Sequence, residues 1–301
     1  MLYDIYLVKY VMKIFDCFPF HNELDLLEIR LAELYNKVDH FVIIESNQTF
    51  TSNPKPFHFE DNKSRYAQFL DKIIYIKVED MPEHPDAWVN DRFQRDQIFR
   101  GIADADPNDL ILISDLDEII RPAAVDHMIN SSSTLFALRM TLHNFRFNYV
   151  RSSASGKYDV WGMAGRRHLF DDIKPDAFRQ LRFNFFSSPY QYQQDDIEVV
   201  EHAGWHFGYM GDKDWLLNKA RSFAHQEVNH PDFLKQIDPE ASIAERKEWN
   251  RTNNNDKYTI VELDNYFPKT LVDNKEKYSQ WILSETEGKI VDFLPKYPYN
   301  Q

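Results

Sequence analysis

Glycine is scarce in this sequence, with eight residues in 301. None of them completes G-x-G-x-x-G or G-x-x-x-x-G-K-[ST], so both glycine-rich phosphate loops are excluded. Cysteine is scarcer still. Cys17 stands alone, which rules out a disulfide framework, a cysteine zinc site and a C-x-x-C redox pair. Its place in an apolar run marks it as a buried thiol, and its isolation suits a reducing compartment. No run reaches 18 apolar residues, so no transmembrane segment is expected. Met1–Val11 carries Asp4 and Lys9 and is followed by no small-residue cleavage site. We expect 1–11 to be a peripheral extension and not a signal peptide. Positive charge is in deficit, with 35 Lys+Arg against 48 Asp+Glu and a net charge of -13. A nucleic-acid partner needs a basic face, so none is expected.

What is present reads as an α/β chain. Met12–Phe18, Asp39–Glu45, Lys72–Val78 and Asp109–Ser114 are short apolar runs of strand length, the kind buried on both faces of a parallel sheet. Between them, Asn22–Tyr35 places Leu24, Leu27, Leu31 and Leu34 on one helical stripe, and Arg65–Leu70 and Asn90–Ile102 read as further helices. This alternation predicts a mixed, mostly parallel sheet flanked by helices. The second half is less regular. Thr134–Val150, Arg179–Phe186 and Glu198–His202 suggest strands, while Asp212–His225 and Asp273–Leu283 suggest helices. No repeat or linker interrupts the chain. We expect one domain over 12–301, with a donor-type α/β half at 12–125 and an acceptor-side half at 126–301.

Ligands of open α/β sheets sit beyond the carboxyl ends of the strands. The fourth run ends directly in Asp115-Leu116-Asp117-Glu118. In extended chain, residues i and i+2 point to the same side, so two carboxylates there suit one hard divalent cation. With 48 acids in 301 residues, acid-x-acid arises by chance roughly eight times. Asp104-x-Asp106 and Asp212-x-Asp214 are such decoys, the second at a helix N-terminus where carboxylates suit the dipole. Position alone leaves a metal site and a solvated acidic turn both open. His202 and His206 are spaced i, i+4, but Gly204 and the surrounding aromatics argue for a strand and against a helical zinc pair. A histidine approaching Asp117 from another segment would complete an O,O,N site suited to Mn²⁺.

Several stretches then fall into one order: His21–Arg30 (HNELDLLEIR), Val38–Val42 (VDHFV), Glu45–Thr49 (ESNQT), Pro54–Pro56, Ser114–Ile119 (SDLDEI), Ala203–His206 (AGWH), Lys219, Ser222 and Phe267–Lys269. In this order the chain resembles glycosyltransferase family 17 from about Met12 onward. The resemblance implies a GT-A-like nucleotide-sugar-binding fold and an Asp-x-Asp metal site using Mn²⁺ or Mg²⁺. It also implies UDP-N-acetylglucosamine as donor and transfer with inversion to a glycan hydroxyl in β linkage. On that basis Asp115, Asp117 and His206 are expected to hold the metal. Glu45, Arg95, Asp115, Lys219 and Ser222 are expected to bind the donor, and Arg30 to be a buried structural ion pair.

Asp212 and Glu227 are the candidate bases. Expected partners are a UDP-sugar and a glycan, glycoprotein or glycolipid acceptor. The single cysteine and lack of an anchor lead us to expect a cytoplasmic protein of bacterial or viral type. Two other readings remain: a metal-dependent phosphohydrolase using the same acidic pair on a nucleotide or sugar phosphate, and a non-catalytic carbohydrate-binding relative.

Overall fold

The computed structural model describes residues 11–82, 84–152, 160–185, 196–248 and 256–292. Apart from Val11, the segment 1–11 lies outside the described residues. The first half alternates as expected: β1 (Ile14–Phe20), α1 (Leu24–Leu34), β2 (His40–Ser46), α2 (His58–Asp61), β3 (Ile73–Val78), α3 (Ala87–Asp96), α4 (Ile98–Gly101) and β4 (Leu110–Ile113). A 3-10 segment over Lys63–Lys72 takes the place of the short helix expected at Arg65–Leu70. Asp86 caps α3 by accepting a hydrogen bond from the Trp88 amide at 2.9 Å. The expected helix over Asn90–Ile102 breaks at Gln97 into α3 and α4.

The second half comprises β5 (Glu118–Ile120), α5 (Pro122–Asn130), β6 (Leu135–Asn144), β7 (Tyr149–Arg151), β8 (Val160–Arg166), α6 (Pro175–Gln180) and β9 (Glu198–Gly208). After these come α7 (Lys213–Ser222), α8 (Pro231–Leu234), α9 (Pro239–Glu245), β10 (Tyr258–Ile260) and α10 (Lys269–Asp273). Two expectations fail here. Arg179–Phe186 is not a strand over its described residues, 179–185: Pro175 opens α6, and a 3-10 turn follows over Leu181–Phe185. Asp273–Leu283 is not a helix: α10 starts after Pro268 and stops at Asp273, and only Ser279–Trp281 coils again.

One ten-stranded sheet runs through both halves in the order β10-β7-β6-β8-β4-β1-β2-β3, with β9 joining β5 to β6. The class is α/β and the sheet mixed. Parallel pairing is confined to the block β3-β2-β1-β4 and the ladder β6–β9, and the remaining pairs are antiparallel. The β1 side chains alternate between two cores. Ile14, Phe18 and Phe20 pack with Leu27, Leu31 and Leu34 of α1, while Phe15 and Cys17 pack with Ile98 and Ile102. Helix α1 also sends Leu26 and Ile29 into a third core with Trp205 and Phe207. Full burial of each such leucine contributes about 1.5–3 kcal/mol. Among the described residues no helix is long and apolar enough to cross a membrane.

An irregularity in β9 matters for the site. Pairing with β6 shifts between Leu138 and Met140, where His202 adopts a left-handed φ of 51°. Beyond this bulge, β9 pairs with β5, so that His206 lies opposite Glu118 and Gly204 opposite Ile120. The Phe207 amide donates to the Asp117 carbonyl at 2.8 Å. The chain between β4 and β5 is thereby fixed beside β9.

Candidate active site

A cavity of about 320 Å³ opens beyond the carboxyl ends of β1, β2 and β4. Its lining is of two chemical kinds. Asp115, Asp117, Arg95, Arg179, Arg182 and Lys219 line a charged floor, and Phe50, Trp88, Phe223 and His225 line an aromatic wall. Trp88 and His225 meet edge to face, with ring centroids 4.5 Å apart.

The floor is built on Arg30, which is fully buried. Its guanidinium grips the Asp16 carboxylate at 2.6 and 2.8 Å and the Ser114 hydroxyl at 2.7 Å. It also donates to the carbonyls of Asp115, Leu116 and Glu118 at 2.6, 3.2 and 3.3 Å. The expected buried ion pair is therefore present, and it also holds the backbone of the acidic turn. Glu118, also buried, accepts the Asp115 amide at 2.7 Å and Arg179 at 2.6 Å.

Asp115 gives one carboxylate oxygen to Arg95 and the other to Arg179, each at 2.6 Å. Burial alone would raise its pKa, but Arg179 and Arg95 outweigh it and hold the carboxyl well below the usual range. The two expected donor ligands Arg95 and Asp115 therefore bind each other. Arg95 also pairs with Asp91 at 3.1 Å and Asp176 at 3.3 Å.

Asp117 is differently placed. Its carboxylate lies 3.8 Å from His206 Nε2 and 3.5 Å from Lys219 Nζ, and Lys219 lies 4.0 Å from Glu23. Burial pushes the Asp117 pKa up, partly offset by Lys219 and His206. Burial pushes the His206 pKa down, which keeps the imidazole neutral and able to ligate. Hard divalent cations bind oxygens at 2.0–2.1 Å, so two donors to one ion lie no more than about 4.2 Å apart. Asp117 and His206 meet that limit.

At Gly208 a Cβ would stand 3.4 Å from His206 Nε2 and 3.0 Å from Asn144 Oδ1, so the glycine keeps a side chain from crowding the nitrogen that faces Asp117. Asp115 spends one lone pair of each oxygen on a guanidinium, which leaves the others for a metal or for substrate. Among the described residues no cluster of three or more His, Cys, Asp or Glu side chains has metal-binding geometry. Asp117 and His206 are the pair close enough to share one ion.

The remaining expected residues divide. Lys219 and Ser222 both line the cavity, one helical turn apart on α7. The Ser222 hydroxyl donates back to the Asn218 carbonyl at 2.9 Å. Glu45 is not among the lining residues. It is fully buried and accepts from the amides of His58 and Phe59, from Lys55 and from Tyr75, so it caps α2 from inside the protein. Asp212 caps α7 through the Trp215 amide at 2.9 Å and faces solvent. Glu227 is exposed and bonds His225 at 2.5 Å. Neither candidate base lines the cavity.

The sequence reading missed Arg179, Arg182, Glu23 and Trp88. For the two arginines a signal existed: their i, i+3 spacing after Pro175 is helical.

Residues 2–167 match the family model described as glycosyltransferase family 17. The chain is similar to the β-1,4-mannosyl-glycoprotein 4-β-N-acetylglucosaminyltransferase of Rattus norvegicus, at 29% identity over 36% of this chain and 21% of that protein. It is similar to the Homo sapiens protein of the same name, at 32% identity over 33% of this chain and 20% of that one. The matched segment spans about a fifth of the length of these curated relatives. Among solved structures, a Pyrobaculum calidifontis mannosyltransferase in complex with GDP-Man and Mn²⁺ aligns with a TM-score of 0.36 and 13% identity, covering 81% of this chain and 73% of that one. A galactosyltransferase in complex with donor and acceptor sugar analogs aligns with a TM-score of 0.33 and 11% identity, covering 63% of this chain and 73% of that one.

Proposed function

The chain belongs to glycosyltransferase family 17, and from that premise we propose a metal-dependent inverting glycosyltransferase. In this reading it moves N-acetylglucosamine from UDP-N-acetylglucosamine to a glycan hydroxyl in β linkage, on a GT-A type of fold. The observation that carries it is the polarity of the cavity, with cations and carboxylates on the floor and aromatic rings at the wall. A nucleotide sugar has the same polarity, a charged diphosphate next to a flat base.

Asp117 and His206 would hold the divalent ion, which when bound supplies charge neutralisation for the leaving diphosphate. Lys219, one helical turn from Ser222, places an ammonium on the same group. Asp115 acts through Arg95 and Arg179, keeping both guanidiniums and the turn in one geometry. Trp88 and Phe50 offer faces to the base. The acceptor oxygen bonds to the anomeric carbon as the bond from that carbon to the diphosphate breaks. The electron pair leaves with UDP, and the hydroxyl proton passes to a base.

A screen of nucleotide sugars with Mn²⁺ and a glycan array tests the reading. UDP-N-acetylglucosamine should be consumed only when an acceptor is present. Release of inorganic phosphate without any acceptor would replace this reading with the phosphohydrolase one.

A further inference from the structure

Three guanidiniums reach the cavity floor, and two of them are spent. Arg95 serves Asp91, Asp115 and Asp176, and Arg179 serves Asp115 and Glu118. Arg182 is different. Its side chain is 13% exposed, and its nearest carboxylate, Glu118 at 3.8 Å, is already bonded to Arg179 at 2.6 Å. Of its five N–H groups, one donates to the Trp161 carbonyl at 2.8 Å, and Nε, like those of Arg95 and Arg179, makes no hydrogen bond; what sets Arg182 apart is that none of its N–H groups bonds a carboxylate. Burial and the neighbouring Arg179 charge push its pKa down to about 9, as expected for a cation short of counter-charge. A buried charge left unmatched is costly unless something else completes it. Arg182 lines the same cavity as Asp115 and Asp117. Its guanidinium also lies 4.6 Å from the ring of Phe183, an exposed aromatic on the cavity wall.

We infer that Arg182 is a phosphate-binding residue of this cavity, supplying the unspent fork that engages the diphosphate of the donor. Identifying that anion as the donor rests on the reading above. A planar fork matches two phosphate oxygens at once, which a lysine does not. The net charge of -13 repels a diphosphate in solution, so an uncompensated cation inside the cavity has a large share in its capture.

Calorimetry with UDP, uridine and inorganic pyrophosphate, in EDTA and in Mn²⁺, tests this on the wild type, Arg182→Gln and Arg182→Lys. Loss of one charge-assisted contact should weaken UDP and pyrophosphate about tenfold in Arg182→Gln. Uridine binding should not change, and Arg182→Lys should fall between. The melting temperature of the free Gln variant should hold or rise, because an unmatched buried charge has been removed. Equal UDP affinity in all three proteins would overturn the inference while leaving the donor reading intact. So would a loss shared equally by uridine, which would mark Arg182 as structural. Pyrophosphate captured through Arg182 with no binding of UDP would keep the anion site and remove the donor reading.

Discussion

Arg30 lies beneath the acidic turn, and its removal separates folding from function. In Arg30→Met the Asp16 carboxylate, fully buried, loses both of its guanidinium bonds. Breaking a buried ion pair by deleting one partner costs 3–5 kcal/mol. Across a chain of 301 residues, a loss of about 4 kcal/mol lowers the melting temperature by about 6 °C. Three carbonyls, those of Asp115, Leu116 and Glu118, also lose their Arg30 bond, while that of Asp115 keeps the Glu118 amide and that of Glu118 keeps the Ser114 hydroxyl, each at 3.0 Å. The double variant Asp16→Leu/Arg30→Met removes both charges together, and apolar replacement of such a pair is often neutral. It should recover most of the melting temperature but not the transfer rate, because the turn carbonyls stay without their clamp. Thermal unfolding and turnover should be followed on the same preparations. A single variant within 1 °C of wild type, or a double variant with full activity, would refute the reasoning.

Asp117→Ala should lower transfer by more than about a hundredfold with little change in melting temperature, while Asp104→Ala and Asp106→Ala, both exposed, stay active; an active Asp117→Ala enzyme sinks the metal assignment. His206→Ala should weaken Mn²⁺ binding in a direct titration, whereas His202→Ala, within the β9 bulge, should not. His143 is fully buried, and burial pushes its pKa down to about 3. The unfolded imidazole takes its proton near pH 6.5, so this residue costs nothing above that pH and about 1.4 kcal/mol per unit as the pH falls from 6.5 towards 3. Denaturation midpoints between pH 4 and 7 should therefore fall less steeply in His143→Asn than in wild type, and parallel curves would contradict this. Gly204→Ala would put a Cβ 2.1 Å from the Ile119 carbonyl oxygen, so the variant should melt well below wild type or fail to accumulate.

The first half was readable because its strands are apolar on both faces and its first helix carries one clear stripe. Their observed limits differ from the expected ones by about two residues, as helix and strand ends usually do. The acidic turn was readable because it follows a buried strand. What was not readable depends on partners distant in sequence. Asp115 meets Arg179, 64 residues later, and no local pattern announces that bond. Glu45 looks like any acid at a strand end until the amides of α2 are seen to close over it. The segment Arg179–Phe186 alternates polar and apolar residues like a strand, but Pro175 had already committed the chain to a helical turn. Asp212 and Glu227 were chosen for nearness to His206 in sequence, and the strand-to-helix turn after Gly208 carries Asp212 to solvent.

The acidic turn is fastened from both directions, by Arg30 before it in the chain and by Arg179 after it. This limits how donor preference can be transplanted. A chimera that exchanges only residues 12–125 would import the turn and Arg30 but meet a foreign helix where α6 should be. Unless that helix offers guanidiniums at the positions of Arg179 and Arg182, the half-buried Asp115 and the buried Glu118 become neighbouring carboxylates with one clamp missing. Recombination within the family should therefore tolerate crossovers after α6 better than crossovers between β5 and α6. A library with randomised breakpoints, sorted for soluble and active clones, should show that bias.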